Sequence, residues 1–191
     1  PVVYELLGEA RRLTESSGEH VTAVLPGPMG MDYHELVYRG ADRLVYIFGE
    51  ELAEPNEWVY AIQLRRIFEE MRPSTILMGA TPFGRSIAPR ISAALRTGLT
   101  ADCTGLDIDE EGGLVQIRPA FSDNILAHIQ TRTRPQMATI RYREFPPAER
   151  EESRSGETDL RAFDASSLGI GDRDGFQAGD TRTQQLPGDG N

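Results

Sequence analysis

Lysine is absent from this 191-residue chain: all twenty basic residues are arginine. That excludes the lysine-dependent P-loop, and it fits GC-rich coding better than a salt-adapted surface. Cysteine is almost absent too. Cys103 stands alone, so no disulfide forms within the chain and no Cys/His set with zinc spacing exists, which fits a reducing compartment. No window approaches the roughly twenty apolar residues of a membrane span, and the N-terminus lacks the basic-then-apolar order of a secretory signal. These absences predict a cytoplasmic protein. Positive charge is also in deficit: a formal net charge of −10 repels a nucleic-acid backbone or an anionic membrane surface.

What is present is enough for one core. With 39% apolar residues the chain can bury one full domain but not two, and the composition divides it at about residue 145. Residues 146–191 are rich in Gly, Ser, Asp, Glu and Arg, a mixture that cannot offset its ordering entropy by burial. A largely disordered polar tail is expected there, with at most one strand over Thr158 to Phe163.

Residues 1–145 alternate between two periodicities. Tyr4 to Ser17 places Leu6, Leu7, Ala10 and Leu13 on one helical face, and Gly18 follows where a helix stops. His20 to Leu25 and Arg43 to Phe48 are short, nearly continuous apolar runs of the kind buried on both faces of a parallel sheet. Helices are expected over about Asp32 to Tyr38 and Glu57 to Met71, then a strand from Thr75 to Met78 and a helix from Ser86 to Arg96. This order predicts an α/β fold with a doubly wound parallel sheet of right-handed βαβ units. From Leu99 onward short strands dominate, at Leu114 to Ile117, Ile125 to Gln130 and Gln136 to Arg141, which predicts a short antiparallel extension at an edge.

Few segments carry chemistry. Gly79 to Arg85 (GATPFGR) joins a strand to a helix at the strand's carboxyl end, where open α/β sheets collect anions. Its spacing matches neither the dinucleotide fingerprint nor the P-loop. A tight turn permitted by two glycines competes with two ligand readings: Thr81 and Gly84 holding a phosphate, or Arg85 meeting an acidic partner or cofactor group. Cys103 beside Asp102 invites a nucleophile reading, but no histidine is close in sequence, and a lone cysteine among small residues reads as a buried hydrophobe. The three histidines, His20, His34 and His128, are too scattered to suggest a triad. Asp107, Asp109, Glu110 and Glu111 before two glycines lack calcium-loop spacing and read as a solvated turn. Arg118 to Asn124 (RPAFSDN) mixes a cation, an aromatic ring and polar groups between two strands, a composition suited to an interface or to an ordinary connection.

Four blocks in order, ELLGEARRL (5–13), GATPFGRSIAPRISAALRTGLTADCTGLDID (79–109), IRPAFSDNILAHI (117–129) and RPQMATIR (134–141), closely resemble electron transfer flavoprotein alpha subunits. The resemblance covers nearly everything from Pro1 to about Glu157. It implies the N-terminal domain of such a subunit, with an adenine-nucleotide-alpha-hydrolase-like α/β fold that docks a partner and binds no nucleotide itself. FAD then belongs to a second alpha domain gripped against a beta subunit, in a heterodimer that carries electrons from flavin-dependent dehydrogenases, such as those of fatty acid oxidation, to an acceptor. Bifurcating members hold a second flavin in beta. By the same resemblance Arg85, Arg118, Phe121 and Asn124 face the partner or its flavin, and the chain carries no catalytic residue and no metal. Ser122 and Asp123 replace two glycines usual in the family, which weakens a close backbone approach to a flavin there. The family's first strand precedes the position of Pro1, so the middle of the parallel sheet is expected to be unpaired here, and the FAD domain is expected to be absent. The alternative reading is an adenine-nucleotide-binding α/β regulator or enzyme.

Overall fold

The computed structural model describes residues 1–15, 17–120 and 122–168. In chain order they form α1 (Val2–Thr14), β1 (Thr22–Gly27), α2 (His34–Tyr38), β2 (Arg43–Phe48), α3 (Glu57–Met71), β3 (Thr75–Gly79) and α4 (Pro82–Ala94). Then come β4 (Leu99–Cys103), β5 (Gly105–Ile108), β6 (Leu114–Ala120), β7 (Ser122–Gln130), β8 (Gln136–Ile140) and β9 (Glu157–Ala162). Local chemistry sets several of these limits. The side chain of Asn56 accepts from the amides of Trp58 and Val59 to start α3, and Arg72 ends it in the left-handed region at φ 48°. Helix α4 begins at Pro82 rather than Ser86, because proline suits the first helical position and Thr81 supplies the cap.

The expected α/β architecture is present, in three sheets. β2 pairs in parallel with β1 and β9, and β8 pairs in parallel with β3 and β4. β5, β6 and β7 form an antiparallel sheet. Helices cover both faces of the parallel sheets. Leu7 of α1 packs with Ala23, Leu44 and Tyr46, while Ile67 of α3 packs with Val45 and Ile47 on the opposite side. α1 and α3 each span both parallel sheets, since Leu13 also meets Ala138 and Ile140, and Leu64 meets Ile76 and Met137.

One expectation changes. Gln136 to Arg141 was expected in the antiparallel edge, yet β8 is the centre of a parallel sheet with all five residues buried. Its polar residues are satisfied from elsewhere: Gln136 accepts from the Leu114 amide at 2.8 Å and donates to the Thr131 carbonyl at 2.8 Å. The segment over Thr158 to Phe163 does form a strand, β9, and it joins the first sheet, so ordered structure extends past residue 145. The expected unpaired middle is also there, because β1 and β3, each the edge of its own sheet, do not pair with one another.

A buried polar network fastens the antiparallel sheet to the parallel one. Thr100 donates to the Gln116 side chain, which donates in turn to the Met137 carbonyl at 3.3 Å.

Candidate functional site

The carboxyl ends of β3, β8 and β4 converge on the corner formed by Gly79 to Arg85. The corner is closed by its own groups. Thr81 Oγ1 accepts from the Gly84 amide at 3.0 Å, and the Arg85 amide donates to the Thr81 carbonyl at 2.8 Å. The Ala80 amide donates to the Ile140 carbonyl at 2.7 Å, tying the corner to β8. A Cβ on Gly84 would overlap the Gly79 carbonyl oxygen, so only glycine allows the helix to start this close to the strand it follows.

Arg85 leaves the first turn of α4 and folds back. Its Nε donates to the Ala80 carbonyl at 2.9 Å, and Nη2 donates to Asp102 Oδ1 at 2.9 Å. Arg141, directly after β8, donates to the other oxygen of Asp102 at 2.9 Å. Asp102 sits in the left-handed region at φ 63°, inside a β4 irregularity, and its amide donates to Thr139 Oγ1 at 2.9 Å. The hydrogen bond from Arg141 is the main influence holding the Asp102 carboxyl below its ordinary range. Burial opposes it, and the charges of Arg141, Arg85 and Arg118 add to it. One carboxylate is thus held by two guanidiniums, one from α4 and one from the end of β8.

Of the residues proposed from sequence, Arg85 is bonded into this cluster. Arg118 lies on β6, where it pairs with Ala127, and acts on the Asp102 carboxyl through its charge. Asn124 lies in β7, and Phe121 falls outside the described residues. Sequence reasoning missed Asp102 and Arg141 as members. The one available signal was that each lies at the carboxyl end of a short strand, Asp102 within β4 and Arg141 directly after β8.

The other candidates resolve as structural groups. Cys103 is fully buried and its Sγ contacts the Thr100 carbonyl at 3.6 Å; burial pushes its thiol up to about 11, too high for a thiolate nucleophile. Asp109 accepts from the amides of Glu111 and Gly113, which makes the acidic run a capped turn. His20 and His34 are exposed beside Asp42 and Asp32, and His128 is exposed on β7.

Beside the cluster stands the β6–β7 arm. The adjacent residues Ile125 and Leu126 are 55% and 54% exposed. Neighbours on a strand point to opposite faces, so the arm carries apolar surface on both sides. Among the described residues, no helix is long and apolar enough to cross a membrane.

Comparison with known proteins agrees with the resemblance read from sequence. Residues 1–166 match the electron transfer flavoprotein domain family. A 166-residue stretch is 44% identical to the electron transfer flavoprotein subunit alpha of Thermoanaerobacterium thermosaccharolyticum, covering 86% of this chain and 50% of that one. Over 170 residues the chain is 43% identical to lactate dehydrogenase (NAD(+),ferredoxin) subunit LctC of Acetobacterium woodii, covering 88% of this chain and 41% of that one. Protein FixB of Azorhizobium caulinodans is 37% identical over 161 residues, 82% of this chain and 44% of that one. The chain spans half or less of the length of these relatives. With most of its length matched and identities near 40%, it belongs to the electron transfer flavoprotein domain family.

Proposed function

We propose that this chain is the first domain of an electron transfer flavoprotein alpha subunit, a scaffold that docks a beta subunit in the cytoplasm and supports flavin-mediated electron passage from dehydrogenases to an acceptor. The observation that carries this reading is the closed corner at the carboxyl edge of the sheet. A phosphate held there would need the Thr81 hydroxyl and the Gly84 amide, and these two groups bond each other. Arg85, the nearest cation, is committed to Ala80 and Asp102. The corner therefore does not fit the pyrophosphate of FAD or of an adenine nucleotide, and FAD is assigned to the rest of the complex.

A rigid corner of this kind supports docking. It fixes a charged cluster next to an arm with exposed apolar residues, the mixture of arginine and apolar surface that protein interfaces favour. The side chain of Arg85 is 54% exposed, so its guanidinium can meet a partner without leaving Asp102. The chain's role is then positional, with electrons moving between flavins held by other parts of the assembly.

The test is association with the electron transfer flavoprotein beta subunit of the same organism, measured by sedimentation velocity on the two purified chains. A one-to-one complex at micromolar concentration is expected. Two chains sedimenting independently at that concentration would overturn the docking role.

A further inference from the structure

The amino ends of β3, β8 and β4 lie side by side, at the edge of their sheet opposite the Asp102 cluster. The connections leading into them are Arg72-Pro73-Ser74, Thr131-Arg132-Thr133-Arg134-Pro135 and Arg96-Thr97-Gly98. Together they hold four arginines and no carboxylate, in a chain whose net charge is −10. We propose that this amino edge is a docking surface for a short acidic segment of a partner protein, separate from the carboxyl-edge surface proposed above for the beta subunit.

Pairing marks these four arginines as available. Elsewhere arginines are matched by carboxylates: Arg85 and Arg141 by Asp102, Arg150 by Glu35, and Arg161 by Glu70 and Asp159. Among the described residues, no carboxylate lies within ion-pair distance of Arg72, Arg96, Arg132 or Arg134, and all four are exposed. Arg134 donates once, to the Gln136 side chain at 2.5 Å. The acidic residues at the end of α3 are engaged by other groups, Glu69 by Arg65 and Glu70 by Arg161.

The backbone points the same way. Arg72 and Arg96 stand at φ 48° and φ 53°, in the left-handed region where glycine or asparagine ordinarily follows a helix. A larger side chain there costs about 1 kcal/mol or more. Arginine is nevertheless the residue at both positions, one after α3 and one after α4, so charge is what the two share. The negative ends of those helices favour a cation at Arg72 and Arg96, but Arg132 and Arg134 follow a strand and gain nothing from a helix end.

Hydrogen bonds hold the three connections together and set the size of the occupant. The Thr97 hydroxyl donates to the Pro135 carbonyl at 2.7 Å and meets the Thr133 hydroxyl at 2.8 Å, and the Gly98 amide donates to Thr133 Oγ1 at 3.0 Å. The Gln136 amide donates to the Ser74 carbonyl at 2.9 Å. Neighbouring strands are about 4.8 Å apart, so the three connections span about 10 Å, the length of three or four extended residues. Negative charge bounds the patch, because the Gln130 side chain, next to Thr131, donates to Asp109 at 2.5 Å and brings the acidic turn of Asp109, Glu110 and Glu111 alongside. A long polyanion such as a nucleic acid, or an anionic bilayer, meets that turn and is repelled. A short segment fits inside it, with its carboxylates taken by planar guanidinium groups.

The experiment titrates the full nitrogen-15-labelled chain with a capped six-residue peptide of alternating glutamate and serine, and follows amide chemical shifts. Saturable shifts centred on residues 72–74, 96–98 and 131–135 are expected, with a Kd that rises about threefold or more between about 20 and about 200 mM salt. The combined variant Arg72→Gly, Arg96→Gly and Arg132→Ser removes three charges while suiting the left-handed backbone. It should melt within about 3 °C of wild type and bind the peptide about tenfold more weakly. Arg132→Ser alone should weaken binding about twofold, and neither variant should change association with the beta subunit. Shifts centred elsewhere, no binding, equal binding of a peptide with glutamine in place of glutamate, or unchanged affinity in the combined variant would each overturn the proposal. So would tighter binding of a short DNA duplex or of phosphatidylserine vesicles than of the peptide.

Discussion

Replacing Asp102 with Asn isolates the charge of the carboxylate from everything else that residue does. Asparagine has the same size and tolerates the left-handed backbone at φ 63°, so the local fold is left unstrained. What is lost is the anionic partner of two guanidiniums, each at 2.9 Å. Hydrogen bonds to charged groups contribute about 1.5–3 kcal/mol when sheltered, but exposed ion pairs contribute about 0.2–1 kcal/mol. Asp102 is 23% exposed while Arg85 and Arg141 are 54% and 39% exposed, so the pairs lie nearer the lower range. A total loss of about 1–2 kcal/mol is expected, equivalent to a Tm lower by about 2–8 °C for a domain of this size. The pH dependence carries the sign. A carboxyl held below its ordinary value of 3.8 in the folded state contributes stability that is full above the unfolded pKa and is lost as pH falls through the folded pKa. Thermal melts of wild type and Asp102→Asn should therefore differ by a constant amount from about pH 8 down to about pH 5, and the gap should narrow progressively as the pH falls below about 4. Equal melting temperatures at pH 7, or a gap that persists unchanged at low pH, would refute the electrostatic account of the cluster.

Gly84→Ala drives a methyl group into the Gly79 carbonyl and should destabilise by about 2–3 kcal/mol or more, visible as a lower urea midpoint; a neutral result would mean the corner is not tight. Gln116→Leu strips partners from the Thr100 hydroxyl and the Met137 carbonyl inside the core, with an expected loss of about 1–3 kcal/mol in urea unfolding. Cys103 should resist a disulfide-exchange reagent at pH 8 in the native chain and react at once in guanidinium. Rapid stoichiometric labelling of the folded protein would contradict its burial and raised pKa.

The parts of the fold legible in the sequence were those set by local periodicity. Arg43 to Phe48 announced β2 because five consecutive apolar residues leave no polar face, and Glu57 to Met71 announced α3 by its spacing. β8 was placed in the wrong sheet because Gln136 and Thr139 look polar in sequence. Their partners, the Leu114 amide, the Thr131 carbonyl and the Asp102 amide, come from other strands, so nothing nearby signals that they can be buried. The candidate site divides along the same line. Arg85 could be picked out from its place after a strand-to-helix turn. Asp102 lies 17 positions from Arg85 and 39 from Arg141, distances at which only the folded chain shows that the three meet. The start of α4 was missed for a smaller reason: Pro82 and Gly84 read as a loop, although proline at the first helical position and glycine against the preceding strand are what let the helix begin there.

Whether the corner is closed to nucleotides is the point on which the scaffold role turns, and titration calorimetry of the purified chain with FAD, AMP and ATP, in the absence of any beta subunit, tests it most directly. The closed corner predicts no saturable heat for any of the three up to millimolar ligand. Saturable one-to-one binding of any of them with a micromolar Kd, abolished by Thr81→Ala, would contradict it.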